Sequence, residues 1–315
     1  MEEKVNEDFA NAQQITEDEQ IYSFAEALAT VIDERTPYNG DHTRRVAEYV
    51  REFIDYLNLE YKAGRYDTYF DNDIREPLIL AAFLHDIGKT VTPLSVMNKP
   101  TRLFGRLEKI RERFRFIKAR LEIDMLKGDI TETEFSQKNH EIDTLYNKVK
   151  NMNSAGKLRD EDMDYVNHAG EEVYVIPGGK IVHYLTKYEI ECLNIRQGTL
   201  TSTERRLMEE HVIFTRKILS KVRFTPKYKM VPLWAGNHHE YLDGTGYPNH
   251  LKAEHLDIPT RILTIVDVYD ALTSRDRPYK RGWTMEDALD VLNEMASSGK
   301  LDKELVKKFG EFARA

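Results

Sequence analysis

The sequence predicts an all-α fold, a bundle of helices that carries an inserted antiparallel helical hairpin and at most a small β-hairpin. Three observations lead there. From Ile21 onward apolar residues recur at helical spacing, with turn residues gathered at 36–41, 63–73, 90–101, 176–180, 224–232 and 243–249. Between Leu103 and Leu121 the apolar positions Leu103, Leu107, Ile110, Phe114, Ile117 and Leu121 alternate four and three apart, a heptad seam on a charged helix. A second seam at Phe135, Ile142, Leu145, Val149 and Met152 follows Lys127-Gly128-Asp129, turn residues that would fold the two helices back on each other. The one strand-like stretch, EVYVIPGGKIVHYL at 172–185, is short and centred on Pro177-Gly178-Gly179, which suits a hairpin.

The chain has 315 residues, 41% hydrophobic and 32% charged, enough apolar material for one large domain or two modest ones. Residues 1–20 are acidic with little periodicity and read as a leader or as a linker from a longer protein. Residues 21–315 read as a domain interrupted by an insertion at about 101–195. The longest apolar run, LILAAFL at 78–84, is too short to cross a bilayer, and MEEKVNEDFA resembles no signal peptide, so no membrane association and a cytoplasmic location are expected. A net charge of −8 argues against binding duplex nucleic acid, which needs many cationic contacts to phosphate. A small anionic ligand needs only local positive charge, which bound cations can supply. The single cysteine, Cys192, excludes an internal disulfide and leaves metal binding to histidines and carboxylates.

Residues 238–248, HHEYLDGTGYP, crowd two histidines, two acids and a glycine-rich turn into eleven positions. Other histidines fall on apolar faces. Thr201 and Glu204 form a capping box that starts a helix whose inward stripe runs Leu207, His211, Phe214, Ile218, Val222. His42 shares a stripe with Val46, Tyr49 and Phe53, His85 and Asp86 close the LILAAFL run, and Asp267 lies inside RILTIVDVYDAL. One inward histidine is ordinarily a hydrogen-bonded core residue. An inward aspartate is different, because burying an unpaired carboxylate costs several kcal/mol. Inward imidazoles and inward carboxylates compensate one another if they share metal ions. Imidazole and carboxylate without thiolate suit iron, manganese, zinc or nickel. The adjacent pair His85-Asp86 can offer one carboxylate oxygen to each of two ions, and a two-ion site lowers the pKa of a water and clamps a phosphoryl group in displacement.

The order His42, HDIGK at 85–89, His211, HHEYLDGTGYP and DVYDALTSRDRPYK resembles the HD-GYP family of cyclic-dinucleotide phosphodiesterases, over about 35–100 and 196–300. The resemblance implies an HD-domain helical bundle. It implies His42, His85, Asp86 and Asp267 as ligands of a first ion, with Asp86 bridging to a second held by His211, His238 and His239. The ions would be iron or manganese ahead of zinc or nickel. Lys89 is similar to the family's phosphate-contacting lysine, and Asp86 and Lys89 are the residues closest to catalysis. Gly246, Tyr247 and Pro248 form the motif that names the family and are expected, with Arg277 and Lys280, on the substrate. Asp243 and Asp270 are candidates to orient histidines, or to be purely structural. Where some members carry a glutamate four residues before the first histidine, for a third ion, this chain has Tyr38, so two ions are expected. RDRPYK is one residue longer than the family pattern, and a helical insertion separates Lys99-Pro100 from Gly198-Thr199.

The function so implied is hydrolysis of a cyclic dinucleotide, cyclic di-GMP first, to linear pGpG and onward to GMP. Two alternatives stand beside it: a catalytically weak or inactive module that senses the nucleotide or binds a protein, and a phosphodiesterase for cyclic GMP-AMP. The insertion is expected to mediate a homodimer or to relay a signal from an upstream sensory domain. His140, His168, His183, His250 and His255 match no motif and are expected in surface or structural roles.

Overall fold

The first described helix begins where Thr16 caps it, with the Thr16 hydroxyl accepting from the Glu19 N–H and the Glu19 carboxylate accepting from the Thr16 N–H at 2.8 Å. The computed structural model describes residues 16–35, 41–274 and 283–315. In chain order the elements run α1 (Glu17–Asp33), α2 (His42–Lys62), α3 (Asn72–Leu84), a 3₁₀ turn (Ile87–Val91), α4 (Leu94–Met97), α5 (Leu107–Lys127), α6 (Glu132–Ser154) and α7 (Asp160–Ala169). A hairpin follows, β1 (Val173–Ile176) and β2 (Lys180–His183), then α8 (Lys187–Leu193), α9 (Ser202–Glu209), α10 (His211–Leu219), α11 (Val231–Ala235), α12 (Ile258–Thr273), α13 (Met285–Ser297) and α14 (Lys303–Ala313). No helix among the described residues is long and apolar enough to cross a membrane.

Two departures from the sequence reading concern helix ends. The stretch read as an acidic leader through residue 20 is helical from Glu17, because Asp18 accepts from the Lys227 ammonium at 2.7 Å and from the Tyr228 hydroxyl at 2.6 Å. The helix expected to run from the Thr201 capping box through Val222 is two helices, α9 and α10, broken at Glu210. The stripe therefore does not persist, and Val222 is exposed.

Residues up to Pro93 and Leu207–Ala315 form one compact unit. Its centre is α2, α3 and α12, which bury Val46, Val50, Phe53, Ile79, Ile265 and Val266 completely. Every residue of α3 from Pro77 to Leu84 is buried, which is why LILAAFL shows no polar face. Phe309 of α14 closes the base, its ring edge-on to Phe53 at 5.1 Å and to Tyr269 at 4.9 Å. The 3₁₀ turn lies hard against α10: a Cβ on Gly88 would meet the His211 carbonyl oxygen at 1.9 Å. Thr215, one turn beyond His211, accepts from the Gly88 N–H at 3.0 Å and donates to the His85 carbonyl at 2.9 Å.

Leu94–Arg206 form the second unit. The sequence places the insertion at about 101–195, and the structure draws wider bounds. Helices α5 and α6 bring the two heptad seams together, with Ile110, Phe114, Ile117 and Leu121 buried along with Ile142, Leu145, Val149 and Met152. Gly128, at φ 79°, ends α5 in the left-handed conformation the turn requires. The hairpin pairs Val173 with His183 and Ile176 with Lys180, and Tyr174 reaches Asp124 at 2.5 Å. Arg102 is buried and donates to the carbonyls of Met152, Ala155 and Ile195, which closes the unit where its chain begins and ends.

Gly88→Ala is expected to destabilise the first unit by about 3 kcal/mol or more, since the methyl meets backbone rather than a movable side chain. A denaturant titration followed by circular dichroism measures it, and an unchanged midpoint would contradict the close approach.

Candidate metal centre

Three of the histidines stand at helix ends. His85 follows α3, His211 follows α9 and His238 follows α11, and each ring turns back on a carbonyl three residues earlier. The Nδ1 atoms lie 2.6 Å from Ala82 O, 2.7 Å from Met208 O and 2.7 Å from Ala235 O. The last carbonyls of a helix lack an intrahelical partner, so they are free to hold a ring. A carbonyl only accepts, so each Nδ1 carries the proton and each neutral ring presents its Nε2 lone pair forward. His42, the first residue of α2, is set by a side chain instead: its Nδ1 lies 2.6 Å from Oδ2 of Asp270.

The forward nitrogens converge on two buried carboxylates. Asp86 Oδ1 lies 3.3 Å from His211 Nε2 and 4.0 Å from His238 Nε2. Its Oδ2 lies 3.3 Å from His85 Nε2, 3.6 Å from His42 Nε2 and 2.5 Å from the Lys89 ammonium. Asp267 Oδ1 lies 3.3 Å from His42 Nε2 and 3.6 Å from His85 Nε2, while its Oδ2 is 3.7 Å from His239 Nδ1. Each carboxylate thus faces two sets of imidazoles. Three groups have ligand atoms within 4.8 Å of one another: His42, His85 and Asp267; His211, His238 and His239; His85, Asp86 and His238.

The donors fit a cation. Nε2 of His85, His211 and His238 and Oδ1 of Asp86 are buried and find no hydrogen-bond partner. Orphaned buried polar atoms are rare because each costs a lost hydrogen bond. Here four orphans point at one another, all of them acceptors while the imidazoles are neutral. A positive charge among them satisfies all four, and nitrogen with oxygen ligands suits a first-row divalent ion.

Electrostatics divide the same atoms. Burial opposes the charged form of His85, but the Asp86 charge and the bonds to Asp267 and Asp86 outweigh it and raise its pKa to about 9. His42 is raised as well, burial being outweighed by Asp267, Asp270 and Asp86. Burial pushes His239 down to about 3 and His238 well below its ordinary value, the positive neighbours of His238 adding to the effect. Against their own burial, Asp86 is held low by Lys89 and His85, and Asp267 by His42 and His85. Protons on His42 and His85 therefore occupy the place a metal cation would take.

The structure brings together all seven residues expected as ligands. Lys89 stands beside Asp86 with 19% of its side chain exposed. The GYP loop packs back on the chain that carries the histidines. Gly246 is buried, and a Cβ on it would lie 2.4 Å from the Tyr241 nitrogen and 2.5 Å from the His239 carbonyl, so it packs on the chain's own backbone. The Tyr247 N–H donates to that same carbonyl at 3.1 Å, and its ring lies 4.8 Å from the His239 ring. Pro248 is half-buried. Asp243 holds the Thr245 N–H and hydroxyl and orients no histidine, whereas Asp270 does orient one. Arg277, Lys280 and Tyr38 lie outside the described residues. His140, His168, His183, His250 and His255 are exposed.

Sequence reasoning misses Thr215, Arg45 and Glu240. Arg45 binds Asp270, and Glu240, buried, accepts from the N–H groups of Asn249 at 2.6 Å and Leu251 at 2.9 Å, closing the GYP loop. Arg45 and Thr215 escape notice because their partners lie far along the chain, whereas those of Glu240 lie within the loop it closes.

Family models described as HD domain match residues 39–157 and 188–305. The "3'3'-cGAMP-specific phosphodiesterase 1" of Vibrio cholerae is 36% identical over 110 residues, 35% of this chain and 25% of its own length. The "Cyclic di-GMP phosphodiesterase response regulator RpfG" of Xanthomonas campestris is 37% identical over 125 residues, 39% of this chain and 32% of its own. The "Cyclic di-GMP phosphodiesterase" of Thermotoga maritima is 35% identical over 116 residues, 36% of this chain and 30% of its own. The match thus spans a quarter to a third of the length of these curated relatives. Between them the two matches cover most of the chain, which belongs to the HD domain family; the order His42, HDIGK, His211 and HHEYLDGTGYP resembles its HD-GYP branch.

Proposed function

We propose that this chain is a metal-dependent phosphodiesterase that hydrolyses a cyclic dinucleotide, cyclic di-GMP in the first instance, to linear pGpG. One observation carries the reading: the two oxygens of buried Asp86 face different imidazole sets, among orphaned acceptors that a divalent ion would satisfy together. The relatives named for cyclic di-GMP and 3'3'-cGAMP hydrolysis support the substrate class.

In this reading His42, His85 and Asp267 hold one divalent ion, His211, His238 and His239 hold the other, and Asp86 bridges them. Iron or manganese suits the donor set. Bound there, two such ions supply a water of lowered pKa and a positive clamp on the oxygens of a phosphoryl group under displacement. The protein's own part is preorganisation. Backbone carbonyls fix three rings before any ligand arrives, so little reorganisation remains during reaction. Lys89, partly exposed beside Asp86, is positioned to meet a non-bridging phosphate oxygen, and its ammonium balances the charge that builds there. Tyr247 keeps the His239 ring in place from the outside.

A second substrate reading rests on the relatives named as 3'3'-cGAMP-specific phosphodiesterases. A module that binds without cleaving would not need this set of converging donors.

Two outcomes are expected. Protein loaded with manganese or iron converts cyclic di-GMP to pGpG on chromatography, and a parallel incubation with 3'3'-cGAMP ranks the two rings. Binding without product would support the non-catalytic alternative instead. Asp86→Ala is expected to lose turnover and metal content together, by product assay and elemental analysis. Full activity in that variant would remove the site.

A further inference from the structure

We propose that Arg45 is a positioning residue for the metal centre: by holding Asp270 it fixes the ring of His42, and with it the ion position made by His42, His85 and Asp267. This rests on the metal-centre reading above and extends it to a residue outside the ligand set.

The four inward histidines at this centre are not held alike. His85, His211 and His238 are pinned by carbonyls of their own local backbone, which no side-chain substitution removes. His42 is pinned by Asp270, a carboxylate on another helix. Asp270 is itself buried, one turn along α12 from Asp267, where a third negative charge beside Asp86 and Asp267 is unfavourable unless compensated. Arg45 supplies the compensation. It lies one turn beyond His42 on α2, and its Nε donates to Asp270 Oδ1 at 2.7 Å while its Nη2 donates to Oδ2 at 3.0 Å.

A guanidinium that engages both oxygens fixes the plane of a carboxylate as well as its position. Oδ2 of that carboxylate also accepts from His42 Nδ1, at 2.6 Å, so the plane of Asp270 dictates the direction of His42 Nε2. That direction puts Nε2 3.3 Å from Asp267 Oδ1 and 3.6 Å from Asp86 Oδ2. Arg45 Nη2 also donates to Ser274 Oγ at 3.1 Å, past the end of α12, so it ties together the two helices that carry His42 and Asp267. Its side chain is 29% exposed, so its removal opens no core cavity.

The consequence is selective. Loosening Arg45 weakens the ion position that includes His42 and spares the one made by His211, His238 and His239, whose rings depend on backbone alone or on Tyr247.

The test uses the full chain as wild type, Arg45→Met, Arg45→Lys and Asp270→Asn, each loaded with manganese and dialysed against graded chelator. Elemental analysis reads ions per chain, and thermal unfolding of the metal-free forms is measured alongside. Wild type is expected to keep two ions, and Arg45→Met to release one of them at chelator concentrations about 10–100-fold lower while keeping the other. Asp270→Asn behaves like Arg45→Met, and Arg45→Lys falls between, since an ammonium restores charge without the fork. The metal-free forms melt alike. Arg45→Met holding both ions like wild type, or losing both together with a lowered metal-free melting temperature, overturns the proposal. If Arg45→Met does not fold, Arg45→Lys decides by the same readout. A wild type that holds no metal defeats the metal-centre reading itself, a different result from either.

Discussion

The centre depends on lone pairs that are buried, fixed and turned toward buried negative charge. Three imidazoles give their N–H to helix-end carbonyls, which leaves them nothing to present to Asp86 and Asp267 but acceptors. Such an arrangement is unfavourable by itself, at about 1–3 kcal/mol for each unsatisfied group. It is stable only with positive charge in its middle, either protons on His42 and His85 or metal ions. The rest of the first unit follows from holding this arrangement together. Gly88 lets the 3₁₀ turn touch α10, Thr215 bonds both strands of chain at that contact, and Gly246 lets the loop close over the His239 carbonyl. None of the three touches the converging nitrogens, yet each sets a distance between them.

The second unit solves a separate problem. Its two seams are buried against each other, so the apolar heptads that suggest a dimerising arm are consumed within one chain. The remaining apolar residues of α7, β1 and α8 complete that core, and Arg102 satisfies carbonyls at the end of α6 that would otherwise be buried without a donor. Self-association through this unit would have to use other residues, such as exposed Phe116, Ile123 and Leu126 on α5.

Much of this is legible in the sequence, and the limits have physical causes. Helices, seams and the hairpin are local patterns of spacing and turn chemistry, and they are readable as such. The converging residues are readable because polar residues at inward positions conflict with the pattern around them, and Asp86 and Asp267 conflict most. The break at Glu210 is not readable: residues 201–222 keep a helical period, and the close approach of Gly88 to His211 just beyond the break joins segments far apart in sequence. Asp18 misleads for the same reason, since its acidity reads as solvent-exposed until Lys227 and Tyr228 arrive. Gly246 reads as a residue on the substrate because glycine allows close approach by anything. The fold adds that the chain's own backbone approaches it, which no local pattern reveals.

Most of the centre is shut off from solvent, and that shapes its chemistry. His85 and His238 are fully buried, and the side chains of Asp86, His211, Asp267 and His42 are at most 9% exposed. Lys89 and His239 are the two exceptions, at 19% and 21%. Tyr247 lies against His239, so among the described residues the exposed edge includes an ammonium, an imidazole and a phenol. Lys89 donates to Asp86, so the part-exposed cation is also the one that screens the buried charge beneath it. That coupling gives the HDIGK segment its logic: buried imidazole, buried carboxylate, close-packed glycine and part-exposed cation follow one another within a single turn of chain.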